Sequence, residues 1–474
     1  MPSSPDNPII REESAAAPDS PAHARVMDFI NSRINFERLP AEQYELQDFK
    51  LDRMRELLSR LGDPQRTIPA IHIAGTKGKG STAAMTAAIL SATGTRIGLF
   101  TSPHLDSIGE RMTVNGQQPT GDELLESMKI VRPVVEEMDT LGPAMSPTFF
   151  ECITAIAWMH FRDKHVQLVV LEVGLGGRLD ATNVCSPLAT VITSISRDHE
   201  RLLGNSLACI ATEKAGIIKS KVPVISGVTQ EEPREVIRHS AEENGCQLFE
   251  LDRDIIWTPV DRLVADPKSP AGLTPLVIDV RTPWRTHRVK VPLPGEHQAR
   301  NLALSLAVCD QLSLRHAVIP SNAITRSLAQ LCWPLRIEVL RHSPLVIVDA
   351  AHNDGSVNCL IDTLRDAASG KRVLIFATSK DKDTHGLLAQ LGDHFDRVIL
   401  TQFVGNPRSV PIETLVRIAA EVLTIPYETA TDPTAAWQLA SQSLTPNDMI
   451  CATGSFFLAA EMRALIKNLP FNGH

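Results

Sequence analysis

Apolar and polar positions along this chain follow two alternating patterns. Short runs rich in Ile and Val, at Ile71 to Ala74, Ile97 to Phe100, Leu168 to Leu171, Thr190 to Ile195 and Val222 to Ile225, lead into the polar or glycine-rich stretches GTKGKGST, TSPHL, EVGLGGR, SRDH and SGV. Longer amphipathic segments separate them. Apolar runs of this kind read as strands buried on both faces, so the pattern predicts a parallel sheet flanked by helices. Ligands of open α/β sheets collect beyond the carboxyl ends of the strands, which points these stretches towards one shared site.

Residues 250 to 294 break the alternation. LVIDVRT and HRVKVPLPG predict a small antiparallel sheet at the edge of the first domain. A helix beginning near His297 and a second segment from Ser321 to Leu331 lead to Cys332-Trp333-Pro334, where proline stops helical structure. The domain boundary is placed here. Beyond it the alternation resumes on a smaller scale: Leu345 to Val348 before DAAHN, Val373 to Phe376 before ATSKDKD, Val398 to Leu400, and Met449 to Cys451 before ATGS. At the other end, residues 1–24 hold five prolines and no periodic apolar pattern, which predicts a disordered tail, with order starting near Val26. The reading is therefore an α/β protein with a tail at 1–24, a phosphate-loop type domain at 25–331 whose mostly parallel sheet is flanked by helices, and a smaller Rossmann-like α/β domain at 335–470.

Composition narrows the function. A length of 474 residues favours two cores over one. The formal net charge of -8 gives no electrostatic reason for nucleic acid as partner. No apolar run approaches the ~18 residues of a membrane span. Of the eight cysteines the nearest pair, Cys309 and Cys332, is 23 residues apart, so they read as reduced thiols without metal-ligand spacing. The start of the chain lacks a basic segment followed by an apolar one, so a cytoplasmic protein, expected to be a monomer, follows.

The strongest chemical signal is Gly75-Thr76-Lys77-Gly78-Lys79-Gly80-Ser81-Thr82 between a predicted strand and a helical run from Ala83 to Leu90. Glycines let backbone N–H groups curl around phosphate oxygens, Lys79 adds charge, and a hydroxyl of Ser81 or Thr82 suits a Mg²⁺ shell. The strict GxxxxGK[ST] spacing fails, because Ile73 holds the first glycine's place and Gly80 separates Lys79 from Ser81. Glu172, at the end of a strand before a glycine turn, is either a metal ligand opposite that loop or a helix-capping group. Arg178 and Asp180 also read as a surface ion pair, Lys214 as a helix-surface lysine, and His199 as a structural histidine.

The ordered set HIAGTKGKGST, TSPHL with ERM, PTFFE, LEVGLGGRLDATN, SRDH, ATEKAGIIK, LPGEHQARN, WPLR, DAAHN and SKDKD, spanning about residues 26 to 465, resembles folylpolyglutamate synthases with or without dihydrofolate synthase activity. These form a branch of the Mur-type amide ligases. The resemblance implies an ADP-forming ligase that adds L-glutamate to folate or dihydropteroate, with ATP and Mg²⁺ as cofactors, through an acyl phosphate; the alternative is a Mur-type ligase for another carboxylate acceptor. It implies that Gly75 to Thr82 hold the ATP phosphates, with Lys79 on the terminal ones. Ser81, Ser102, Glu172 and His199 would hold metal, and Lys214 would be a carbamate. Gln298, Asn301, Arg336 and Asp349 would contact nucleotide, His352 would join catalysis, and Phe150, Lys380 and Asp383 would meet the other substrates. Three positions depart from the family pattern: Lys77 for Asn, Leu335 for Gly in WPGR, and Ala350 for Gly in DGAHN.

Overall fold

In the computed structural model, residues 20–39, 48–261, 273, 275–314, 318–365, 367–368, 370–442 and 444–469 are described. Helix Pro21–Asn31 begins before the predicted start near Val26, because Ser20 accepts a hydrogen bond from the His23 amide at 3.1 Å and Pro21 suits a first helical turn. Residues 21 to 24 thus belong to a helix, and the rest of the expected tail, 1 to 19, lies outside the described residues.

Among the described residues the first sheet has seven strands in the order Met112–Val114, Ile97–Phe100, Leu168–Glu172, Ala70–Ala74, Pro187–Ile192, Val224–Ser226 and Leu248–Glu250. All neighbours are parallel except the edge pair Met112–Val114 with Ile97–Phe100. The two central strands, AIHIA and LVVLE, are buried at every position, which is why their sequences lack in-out alternation. Their register sets Ile73 opposite Glu172, so the carboxylate emerges beside the start of the glycine loop. One strand runs earlier than predicted: Pro187–Ile192 ends before Thr193, whose hydroxyl turns to the loop instead.

Helix Lys79–Ser91 is buried from Gly80 to Ser91, and its run of small residues lets helix Glu296–Ser313 pack close, with Ser305 donating to the Thr82 carbonyl at 3.1 Å. The predicted small sheet is present as Ile256–Asp261, Val277–Arg281 and Thr286–Lys290, all antiparallel. It is pinned to helix Glu296–Ser313 by Asp310, which accepts from His287 Nε2 at 2.8 Å and Thr282 Oγ1 at 2.7 Å.

Helix Ser321–Ala329 ends before Pro334, as proline demands. A six-stranded sheet follows in the order Glu338–His342, Leu345–Val348, Met449–Thr453, Arg372–Phe376, Arg397–Leu400 and Tyr427–Thr429, antiparallel only at its first pair. The apolar residues of this half form two clusters, one built with helices Asp354–Leu364 and Thr384–Gly392 and the other with Pro433–Ala440 and Phe456–Asn468. The α/β class and the parallel-dominated sheets read from the sequence are those of the structure. No helix among the described residues is long and apolar enough to cross a membrane.

Candidate active site

The carboxyl ends of the central strands open into a cavity of about 700 Å³ lined by residues of both halves of the chain. Its floor is the glycine loop. At Gly75 (φ +152°) a Cβ would lie 1.9 Å from Thr193 Oγ1, and at Gly78 (φ +81°) 2.3 Å from Asn301 Oδ1, so neither position has room for a side chain. The loop is stitched to the exit of the neighbouring strand: Thr76 N donates to Ser194 O at 2.8 Å, Lys77 N to Ser194 Oγ at 3.0 Å, and Thr193 Oγ1 to Lys77 O at 2.6 Å. The helix begins at Lys79 rather than Ala83, so Lys79, Gly80 and Ser81 form its first turn and its unpaired N–H groups face the cavity. Neither Thr82, which is fully buried, nor Gly75 lines the cavity.

Glu172 stands against this turn. Its Oε2 accepts the Ser102 amide at 3.1 Å and lies 3.3 Å from the place of a Cβ on Gly80. Burial raises its pKa above the ordinary value, against the opposing pull of Lys79. Neither expected bland reading of this region holds: Glu172 caps no helix, and Arg178 pairs with Glu213 at 2.9 Å instead of with Asp180. Asp180 is buried, caps the short helix Ala181–Val184 and accepts the Leu175 amide at 2.9 Å. Lys214 is no surface lysine. Only 5% exposed, it lies behind the cavity wall with Gly177 packed against its backbone, and forms no ion pair within 4.0 Å among the described residues. Burial first, and Lys79 next, push its pKa down to about 7.

The second half supplies the opposite wall. Asp349 accepts amides from Ile337 and Ala351, each at 2.8 Å, and burial lifts its pKa while Arg336 opposes. Leu335 keeps a left-handed backbone, φ +58°, although it is not glycine, and is fully buried in the second core. Asp198 gathers contacts from both halves: Lys77 at 3.0 Å, Lys382 at 3.1 Å and Asn353 at 3.3 Å. Burial opposes its ionisation, yet Lys77 and the other neighbouring cations hold its carboxyl far below the usual range. His199, beside it, leaves 37% of its side chain exposed, and crowding by the surrounding protein lowers its pKa. Gln298, bonded to Asn301 at 3.0 Å, and His352 complete the polar lining. Lys380 and Asp383 do not join it: Lys380 is exposed and reaches the Pro407 carbonyl, while Asp383 caps helix Thr384–Gly392. Asp381 and Lys382, their neighbours in SKDKD, line the cavity instead.

A third wall is aromatic and was mostly missed. Phe36, Phe49, Phe149 and Phe150 line it, with Arg111 set over the Phe149 ring. Arg111 is 1% exposed, holds Glu37 through two bonds of 2.7 and 2.6 Å, and donates to His104 Nδ1 at 2.7 Å. The sequence signal was the ERM tripeptide, quoted for its order and not for its charge.

No group of three or more His, Cys, Asp or Glu side chains among the described residues could hold a metal by itself. The residues present do fit Mg²⁺, which takes one or two carboxylates and leaves its remaining positions to substrate oxygens. Glu172 is a buried carboxylate beside the Ser81 turn.

Two family models match this architecture: the Mur ligase middle domain over residues 73–309, and the Mur ligase glutamate ligase domain over 335–456. The chain belongs to the Mur ligase family. Its folylpolyglutamate synthase branch is shown by the dihydrofolate synthase/folylpolyglutamate synthase of Bacillus subtilis, 33% identical across 94% of this chain and 99% of the relative. Among solved structures, Mycobacterium tuberculosis folylpolyglutamate synthase complexed with ADP and AMPPCP superposes with a TM-score of 0.83 at 31% identity, covering 95% of this chain and 99% of that one. E. coli FolC in complex with DHPP and ADP gives 0.79 at 27% identity, covering 95% and 98%. This ligase is an ATP-dependent amide ligase of the folylpolyglutamate synthase type.

Proposed function

We propose that the cavity binds ATP, a folate and L-glutamate, and that the folate carboxylate is activated by taking the γ-phosphoryl group as an acyl phosphate. The glutamate amine then attacks the activated carbonyl, and phosphate leaves as the amide forms. The observation that carries this reading is the meeting of the Lys79 helix N-terminus, the buried Glu172 and the Arg336–Asp349 wall in one cavity. Phosphoryl transfer needs positioning and charge neutralisation, and these groups supply both.

In this reading the loop from Gly75 to Ser81 wraps the phosphates, with Lys79 on the terminal ones and Arg336 approaching from the second half. Gln298 and Asn301 contact the nucleotide, and Asp349 the ribose. Glu172 and Ser81, with Ser102 and His199, would hold Mg²⁺, which when bound would neutralise phosphate charge. Lys214, whose pKa is lowered to about 7 by burial so that a large share of the amine is neutral at physiological pH, is suited to carry a carbamate. The aromatic wall around Phe150 receives the flat acceptor, dihydropteroate or a reduced folate monoglutamate. Enclosure between the two halves keeps water from the acyl phosphate.

The test is folate-dependent ADP release by purified protein given each acceptor in turn. Lys79→Ala should abolish it with the fold intact. Near-normal turnover in that variant would sink the reading.

A further inference from the structure

Lys77 is one side chain in contact with both halves of the molecule. Its backbone lies in the glycine loop, while its ammonium group donates to Asp198 Oδ2 at 3.0 Å and meets His352 Nε2 at 3.1 Å, a contact spanning 275 residues. The protons there follow from chemistry. His352 Nδ1 lies 2.7 Å from the Ala350 carbonyl, which can only accept, so Nδ1 carries the hydrogen. Nε2 is then a bare lone pair, and Lys77 is its donor.

Asp198 completes the junction. Lys382 and Asn353 reach it from the second half at 3.1 and 3.3 Å, and its side chain is 11% exposed. The groups facing Lys77 are therefore Asp198 and His352 in contact, with Lys79 and Lys382 as nearby like charges. Breaking the Lys77 contacts would leave Asp198 with fewer cations and the His352 Nε2 lone pair without its donor.

We propose that Lys77 is a positioning residue: it ties the phosphate loop to the glutamate ligase domain through Asp198 and, by donating to Nε2, fixes the ring of His352, whose Nδ1–H is set by the Ala350 carbonyl. Loop geometry and domain closure are thereby one event, and the second substrate meets a histidine already oriented. The inference rests on the reading of this cleft as the active site.

The experiment compares Lys77→Met, which keeps the length and removes the donor, with Lys77→Arg, which keeps a cationic donor. Imidazole ¹⁵N spectra, with the His352 signals assigned by their loss in His352→Gln, should show Nδ1–H and a hydrogen-bonded Nε2 in the wild type, and in Lys77→Met the same tautomer with the Nε2 signal shifted by the loss of its donor. The KM for glutamate should rise about tenfold in Lys77→Met, the scale of one charge-assisted hydrogen bond, with a smaller change in nucleotide affinity; Lys77→Arg should restore most of it. Wild-type His352 signals and an unchanged glutamate KM in Lys77→Met overturn the inference. If Lys79→Ala is inactive alongside that result, the reading of the cleft survives it; if Lys79→Ala turns over normally, the reading itself fails. Should Lys77→Met not fold, Lys382→Met releases Asp198 from the other side, and small-angle scattering should give a larger radius than wild type. An unchanged radius counts against the tie.

Discussion

Asn301 Oδ1 occupies the place a side chain at Gly78 would need, 2.3 Å from the position of its Cβ. The same amide group holds Gln298 at 3.0 Å, so the helix Glu296–Ser313 and the phosphate loop are fitted to each other atom by atom. Gly78 also has φ +81°, a conformation costing an alanine about 1–2 kcal/mol before any clash.

Gly78→Ala should therefore weaken nucleotide binding by tenfold or more, since about 1.4 kcal/mol is a factor of ten. Combining it with Asn301→Gly should recover at most the steric part, because the backbone strain remains and the Asn301 contact to the nucleotide is lost. Calorimetric titration with a non-hydrolysable ATP analogue measures both. A wild-type affinity in the single variant would remove the loop from nucleotide binding.

How much of this was legible beforehand depends on what each residue type reports. Glu172 was readable because a fully apolar strand delivers it to a strand end, where the topology places ligands. Asp381 and Lys382 were not. SKDKD is polar throughout, so no apolar partner says which of its residues turn inward, and a slip of one position exchanges Lys380 and Asp383 for their neighbours. The Lys77–His352 contact was hidden for a different reason: separation by 275 residues leaves no local pattern, only the packing of two sheets. Leu335 sustains its left-handed backbone, φ +58°, because its buried side chain and the Ala350 amide at 3.2 Å hold it there.

Arg53 and Glu151 form a buried pair, Nε to Oε2 at 2.8 Å with both side chains 7% exposed. Glu151 also closes the capping box with Thr148 at the start of helix Phe149–Asp163, next to Phe150. Glu151→Ala leaves Arg53 as an unpaired buried charge and removes the cap, a loss on the order of 3–5 kcal/mol. The double variant Arg53→Met with Glu151→Met should be less damaged than Glu151→Ala. Thermal melts test the stability, and the acceptor KM should rise in Glu151→Ala with nucleotide affinity kept. Equal melting of Glu151→Ala and wild type would refute the account.

Glu172→Gln separates stability from activity. Burial raises the carboxyl's folded pKa, so between the unfolded value and the raised one the folded state binds more protons, and stability falls as pH rises through that window. Removing the charge should let ligand-free Glu172→Gln melt higher than wild type at pH 7 to 8, the gap closing in acid where both side chains are neutral. Turnover should fall on the order of a hundredfold or more, as when a charge-stabilising group is lost. A variant that melts no higher at neutral pH would contradict the burial argument, and one with wild-type magnesium dependence would end the assignment of Glu172 to the metal.

Lys214 gives the last and most demanding prediction, because a lysine is asked to act as an anion. Its folded pKa of about 7 lies below that of a free lysine, so the unfolded chain binds the extra proton between the two values and stability rises with pH across that interval. Below pH 7 the buried ammonium is at its most destabilising. Lys214→Met should therefore melt higher than wild type at pH 6, with the difference shrinking towards pH 10. Carbamylation needs the neutral amine and CO₂: the nitrogen lone pair adds to the carbon, and the amine proton passes to solvent. ¹³C-bicarbonate should therefore give wild-type protein a carbamate carbonyl signal above neutral pH that Lys214→Ala lacks. Lys214→Ala should lose most activity, and acetate should restore part of it by placing a carboxylate in the vacated space. Full activity of Lys214→Ala without additive, or a wild-type protein that turns over while showing no carbamate signal, would each defeat the assignment.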